Sequence, residues 1–273
     1  MRCIVCNIPM NYSFKKNFNH SNDFDKSFDL GVVEYHKCPK CGLVKSFNHS
    51  QMSLHKWEAV NKTFHEFIEN QNNTKVVNQP PYIEISQFIN ILLKEKIVEA
   101  PILDWGGGYG SLAKILLKYH NVPSEIFEKY LINNKDKLID YVDKTSLKVK
   151  SYNLVISTAV FEHVTERETL DSIIKQLSNR GSLLIHTLIC DSIPNDPSWF
   201  YLLPVHTTFF TNKSMAFLMK QWGFVSSIYC PRAKSWILLK TNSSKLLQTI
   251  DSINSLLQED YLIFKQGFVN YWK

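Results

Sequence analysis

Nothing in the 273 residues approaches the ~18 consecutive apolar positions that a membrane-spanning helix needs; the longest such run lies near Leu154–Phe161. Blocks of five or six basic residues are lacking as well, although Lys and Arg outnumber Asp and Glu by 31 to 25, for a formal net charge of +6. A scattered surplus of this kind points to a solvated surface ahead of a nucleic-acid footprint, and it suits phosphorylated small molecules equally well. The opening Met1-Arg2-Cys3-Ile4-Val5-Cys6 is too short and too cysteine-bearing for a signal peptide. No internal repeat is present. These absences lead to the expectation of a cytoplasmic protein with a small-molecule partner, no membrane partner and nucleic acid disfavoured. A packed interior is within reach, because 44% of the residues are hydrophobic and 13% aromatic.

The length suits one α/β domain of roughly 200 residues plus a small appendage. Residues 1–50 hold four of the six cysteines and a loop-like polar stretch around Asn17–Asp29. Leu54, Trp57, Val60, Phe64, Phe67 and Ile68 recur at helical spacing, and Tyr82–Lys96 forms a second amphipathic pattern after the polar linker Asn70–Asn78. From Pro101 strands and helices alternate. Strands are expected at Ile102–Trp105, Ser124–Phe127, Leu154–Ser157 and Ser182–Leu188, and helices at Ser111–Lys118, Thr169–Asn179 and Lys213–Trp222. Phe224–Tyr229 and Ser235–Lys240 suggest a terminal strand pair, and Leu246 to Leu257 a final helix. The expected fold is α/β, a doubly wound, mainly parallel, seven-stranded Rossmann-like sheet with helices on both faces. Four regions follow: a module over 1–50, a helical lead-in covering the site over 51–98, the core over 99–242, and a C-terminal helix with an aromatic tail over 243–273.

Cys3-x-x-Cys6 and Cys38-Pro39-Lys40-Cys41-Gly42 are two paired-thiolate turns. Each supplies two soft ligands, and four complete a tetrahedral Zn²⁺ site with no open position, so the expected ion is structural. Gly42 suits the tight turn whose amides point at the sulfurs. Two disulfides are the alternative, disfavoured without a sign of export. His36 and His49 flank the second turn but are not needed as ligands. Cys190 and Cys230 are expected to be ordinary buried or half-buried residues.

The segment Ile102-Leu103-Asp104-Trp105-Gly106-Gly107-Gly108-Tyr109-Gly110-Ser111 leaves an expected strand and opens a helix, the setting of a nucleotide-binding loop. A dinucleotide fingerprint would place a third glycine at position 111, where Ser111 stands, and no lysine follows to make a P-loop. The spacing Asp104-x-Gly106-x-Gly108-x-Gly110 resembles motif I of class I S-adenosylmethionine-dependent methyltransferases. Two more landmarks strengthen the resemblance. Glu128 stands at the end of the second strand about 20 residues on, where an acid accepts hydrogen bonds from ribose hydroxyls. Asn153-Leu154-Val155 and Glu162-His163-Val164 resemble the family's "DLV" and "EHV", with Asn153 in place of the usual Asp. The resemblance implies S-adenosylmethionine as cofactor, with Asp104, Gly106, Gly108, Gly110, Glu128 and Asp143 as its contacts; for Asp143, as for Asp140, the spacing is ambiguous.

With its cysteine pairs the chain resembles methyltransferases that carry an N-terminal zinc-binding domain, among them bacterial sugar C-methyltransferases acting on nucleotide-linked ketosugars. Their Tyr-x-Glu-His pattern corresponds here to Leu203-Pro204-Val205-His206, which keeps only the histidine. Carbon methylation beside a carbonyl needs a base and an enolate stabiliser, so this departure, with the lack of the family's long C-terminal domain, favours oxygen methylation. His206 is the first candidate base and His163 the second, while His186 falls inside a strand as a core residue. Trp199-Phe200-Tyr201 either walls the acceptor site or belongs to the core. The expected acceptor is a hydroxyl on a phosphorylated or nucleotide-activated sugar, or another phospho-compound of capsule, surface-glycan or secondary-metabolite assembly. A zinc-containing RNA methyltransferase is an alternative, but Ser157-Thr158-Ala159-Val160 lacks the Asn-Pro-Pro-Tyr or Asp-Pro-Pro-Tyr signature of amino-group methylation. A silent binding partner that kept the fold is the third reading.

Overall fold

The computed structural model describes residues 1–20, 25, 27–69, 80–129, 138–147 and 151–270. The expected linker Asn70–Asn78 and the end of the aromatic tail, 271–273, lie outside the described residues, as do 21–24 and 26 within the polar stretch.

The main sheet forms around β4 (Ile102–Trp105) and β7 (Tyr152–Thr158), whose side chains alternate between two apolar clusters. Leu103 and Val155 join the cluster formed with α4 (Arg167–Ile174) and α5 (Asn212–Gln221). Ile102, Leu154 and Ile156 join the one formed with α2 (Tyr82–Lys94), α3 (Ser111–His120) and α6 (Ser244–Leu257). Because successive strand residues point to opposite faces, this partition places helices on both sides of the sheet.

The remaining strands are β5 (Glu125–Phe127), β6 (Asp140–Tyr141), β8 (Leu177–His186), β11 (Ser226–Cys230), β12 (Ser235–Leu239) and β13 (Ile263–Gln266). Their order is β13-β11-β12-β8-β7-β4-β5-β6, with parallel pairing from β8 to β6 and antiparallel pairing of β12 with β8, of β11 with β12 and of β13 with β11. The fold is thus α/β with a largely parallel sheet. Among the described residues it has eight strands where seven were expected. The addition, β13, is an edge strand with hardly a buried side chain, so it leaves no alternating apolar signature. The stretch Leu177–Asn179, expected to be helical, instead opens β8. Its register against β7 jumps from Tyr152↔Leu177 to Leu154↔Ser182, a bulge that bare periodicity does not reveal. At its tip a Cβ on Gly181 would lie 2.8 Å from the Tyr152 carbonyl oxygen, so the bend requires glycine.

The N-terminal residues are more ordered than their sequence pattern implies. β1 (Asn11–Asn17), β2 (Val32–Lys37) and β3 (Val44–Ser46) pair antiparallel, and β3 continues onto β10 (Thr208–Thr211), which runs parallel to β9 (Ile189–Cys190). This second sheet is therefore completed by the chain between β8 and α5. Cys3, Val5, Cys38 and Cys41 pack into the same cluster as α4 and α5. Arg167 Nη1 donates to the Ile4 carbonyl at 3.2 Å, and Gln221 Nε2 donates to that of Val5 at 2.8 Å. No helix among the described residues is long and apolar enough to cross a membrane.

Candidate active site

In the main sheet, successive strands run outward from β4 in one direction through β5 and β6, and from β7 in the other through β8. The reversal opens a crevice at the carboxyl ends of β4 and β7, where open α/β sheets hold ligands. Both of the chain's chemical motifs emerge there.

The glycine loop leaves β4 with three positive φ angles, +76° at Gly106, +53° at Gly108 and +74° at Gly110, the last serving as N-cap of α3. A Cβ on Gly106 would meet Val160 Cγ2 at 2.6 Å, and one on Gly110 would meet Ile139 Cδ1 at 2.5 Å. Glycine is thus required both for conformation and for space. Glu128, just past β5, accepts from the Gly108 amide at 3.0 Å, while the Tyr141 hydroxyl donates to the Gly108 carbonyl at 3.1 Å. Asp104 lies at 1% exposure, and neither carboxylate oxygen meets a hydrogen-bond donor among the described residues. Burial, reinforced by the Glu128 charge, pushes its carboxyl up to about 7.

An acid whose pKa is raised by folding binds its proton better in the native state. Its contribution is therefore intact below the unfolded value near 3.9 and is lost progressively as pH rises to about 7. Asp104→Asn should accordingly gain stability relative to wild type as pH climbs from about 4 to 7, as read by denaturant melts of ligand-free protein. The opposite trends of His49 and His186, whose burial lowers each to about 4, cancel in that difference.

Of the other acids named from sequence, Asp143 stands apart. It is exposed and its Oδ1 accepts from the Ser146 amide at 2.8 Å and the Thr145 hydroxyl at 2.5 Å, capping the turn Lys144–Leu147 and holding its carboxyl at about 2. Asn153 is tied to the Ala100 carbonyl and the Ser178 hydroxyl, a structural task at the opposite end of β7.

The turn after β7, Phe161–His163, carries the second motif. Glu162 is 3% exposed and accepts from the Tyr201 hydroxyl and the Thr187 hydroxyl, each at 2.8 Å. His163 is half-buried, and His206 is buried with its ring centroid 5.2 Å from that of His163. His206 Nδ1 donates to the Tyr201 carbonyl at 2.8 Å, which leaves the lone pair on Nε2. His163 Nδ1 lies 3.3 Å from Asn61 Oδ1, whose amide is oriented by donating to the Trp57 carbonyl at 2.9 Å. The amide oxygen can only accept, so this ring too carries its proton on Nδ1. The two segments are clamped: the Thr207 amide donates to the Glu162 carbonyl at 2.7 Å, and Thr208 Oγ1 donates to Val164 at 2.6 Å. The Ser46 amide at the end of β3 reaches the Thr207 carbonyl at 2.8 Å, so the N-terminal sheet steadies the His206 loop.

Over this cluster runs α1 (Leu54–Glu69), whose Trp57, Val60 and Phe64 pack with Val205. Phe64 stands 6.3 Å from the His163 ring and 6.5 Å from that of His206, and Glu58 pairs with Lys129 at 3.6 Å beside Glu128. The sequence points to His163 and His206 but not to their hydrogen-bond partners Asn61 and Tyr201, nor to the Glu162 carboxylate that Tyr201 and Thr187 hold nearby. Asn61 carried a signal, an amide between Trp57 and Phe64 on an otherwise apolar helix face. In the run Trp199-Phe200-Tyr201, Tyr201 faces the cluster, Trp199 packs on Phe209 and Phe200 is exposed. His186 Nδ1 donates to the Lys234 carbonyl at 3.0 Å and stays structural.

The four N-terminal cysteines converge. Cys3 and Cys41 sulfurs lie 3.5 Å apart, Cys6 and Cys38 3.3 Å, Cys6 and Cys41 3.9 Å, and all four fall within 4.8 Å of one another. Zn–S bonds of about 2.3 Å would set tetrahedral sulfurs about 3.8 Å apart, so the cluster suits the ion with only small side-chain shifts. The Val5 and Cys41 amides point at Cys3 and Cys38 sulfurs, and Gly42 turns at φ +75°. Cys190 and Cys230 take no part.

Comparison with solved structures finds the plantazolicin methyltransferase BpumL, in complex with SAH, at 15% identity over 82% of this chain and 100% of that one, with a TM-score of 0.45. The 1,6-didemethyltoxoflavin-N1-methyltransferase of Burkholderia thailandensis is 13% identical over 77% of this chain and 96% of its own, with a TM-score of 0.47. Magnesium protoporphyrin IX methyltransferase (ChlM) from Synechocystis PCC 6803 is 12% identical over 67% and 95%, at 0.44. No curated protein matches the chain in sequence. The family model described as "Methyltransferase domain" matches residues 82–226, a span from α2 through the glycine loop and both histidines to β11 that exceeds half of the sequence. The chain belongs to the methyltransferase domain family.

Proposed function

We propose that the chain is an S-adenosylmethionine-dependent O-methyltransferase of a small phosphorylated or nucleotide-activated sugar, or of another phospho-compound of capsule, surface-glycan or secondary-metabolite assembly. The observation that carries the reading is a glycine loop with an orphaned buried carboxylate, Asp104, beside two imidazoles at one sheet crevice. The cofactor supplies a sulfonium methyl group and carries an ammonium group. Asp104 and Glu128 offer negative charge to such a cationic ligand, and the Gly106–Gly110 backbone offers close approach. Asp143 is exposed and engaged in capping its own turn.

On the acceptor side, Nε2 of His206 or of His163 would take the acceptor's hydroxyl proton, while the bound cofactor would supply the methyl group to that oxygen and leave as S-adenosylhomocysteine. Alignment supplies much of the rate, and α1 helps by covering the cluster against water. The Cys3, Cys6, Cys38 and Cys41 cluster holds structural Zn²⁺ in this reading. Carbon methylation is the second reading, favoured by one finding: Tyr201 and Glu162 restore beside His206 the hydroxyl and carboxylate that positions 203 and 205 lack. Nuclear magnetic resonance of the methylated product separates the two.

Replacing Glu128 by alanine removes a charge-assisted bond to a ribose, worth about 1.5–3 kcal/mol, so S-adenosylmethionine affinity should fall roughly 10- to 100-fold. Gly108→Val, at φ +53°, should abolish binding. Unchanged affinity in Glu128→Ala, measured by calorimetry, would contradict the cofactor assignment.

A further inference from the structure

Glu162, His163 and His206 each offer one metal-ligating atom, and these three atoms lie within 4.8 Å of one another. They come from segments held together by the Thr207 and Thr208 hydrogen bonds, so their proximity is built into the fold. Each is oriented from behind. Tyr201 and Thr187 hydroxyls fix the Glu162 carboxylate, the Tyr201 carbonyl fixes the tautomer of His206, and the Asn61 amide fixes that of His163. Neutral imidazoles presenting Nε2, with outer hydrogen bonds on Nδ1, are the form in which histidine binds metals.

We propose that Glu162, His163 and His206 form a second metal site, one that takes a divalent cation through nitrogen and oxygen, unlike the all-sulfur site of the cysteines. Two imidazoles and a carboxylate suit Mn²⁺, Fe²⁺ or Zn²⁺ and leave coordination positions open. Bonds of about 2.1 Å put neighbouring ligands about 3 Å apart, so binding draws the three atoms, which lie within 4.8 Å of one another, together by up to about 2 Å. The ion's use rests on the reading that the acceptor hydroxyl sits at this cluster: with the cation present, the imidazoles serve as ligands and the hydroxyl proton leaves to water, its acidity raised by the ion's charge.

The test uses the full chain after dialysis against EDTA, titrated with Mn²⁺ while electron paramagnetic resonance reports the free ion. One Mn²⁺ per chain should bind, and affinity should fall about tenfold or more in both Glu162→Gln and His163→Ala. His163 is half-buried, so its variant carries the test if the Glu162 variant does not fold. The thiolate-bound zinc should be unchanged in either. No uptake by the wild type at millimolar Mn²⁺, or equal uptake by the folded variants, would overturn the proposal. S-adenosylmethionine titration of the same EDTA-treated protein keeps the questions apart: loss of Mn²⁺ uptake with cofactor binding intact rejects the metal site alone, whereas Mn²⁺ uptake without cofactor binding rejects the methyl-transfer reading alone.

Discussion

Replacing His206 by alanine should lower turnover by about 10²–10⁴ while S-adenosylmethionine affinity stays near wild type. The residue is buried between Tyr201, His163 and Phe64, with Nε2 as its acceptor nitrogen. The pH profile of kcat should show an ascending limb in the wild type, because only neutral imidazole accepts a proton or binds a cation. That limb should be missing in His206→Ala. Excess Mn²⁺ should displace the limb to lower pH if the ring is a ligand, since the ion competes with protons for the same nitrogen. Full turnover in both His206→Ala and His163→Ala would instead indicate an acceptor that is already anionic, such as a phosphate oxygen. A purely anchoring His206 would show a stability loss of about 1–3 kcal/mol with the pH limb retained.

Stripping the cysteine site is the second large effect. Protein prepared under reducing conditions should contain one thiolate-bound zinc per chain, and Cys41→Ser or a mercurial should release it. Structural zinc contributes about 10–16 kcal/mol in small zinc domains, as much as the whole stability of an ordinary domain, so the knuckles should unfold without it. The loss should spread. Thr211 Oγ1 donates to the Cys41 carbonyl at 2.6 Å and caps α5, and β3 pairs directly with β10 behind His206. Turnover should therefore fall along with near-ultraviolet circular dichroism, although no cysteine touches the crevice. Metal analysis finding no zinc in reduced protein, or Cys41→Ser with native dichroism, would contradict this.

The parts of the fold legible in the sequence are those whose apolar period is uninterrupted. β4, β7, α1 and α5 fall within a few residues of expectation because each buries a regular face. β13 is mostly exposed, β8 carries a bulge, and β9 and β6 are two residues long, so none of these announces itself by alternation. β1, β2 and β3 draw their partners from each other and from β10 some 160 residues away, a pairing that local pattern cannot contain. The site divides in the same manner. The glycines and cysteines were readable because backbone geometry and thiolate spacing are local demands. Tyr201, Asn61 and Thr187 act through contacts between distant segments, so only the assembled crevice reveals them.

The central claim is that the β4–α3 loop holds S-adenosylmethionine, and calorimetric titration of the purified chain tests it most directly. One equivalent should bind in the micromolar range and raise the melting temperature, as a ligand selective for the native state must, while NAD produces neither effect. Heat and a melting shift with NAD, and none with S-adenosylmethionine, would contradict the account.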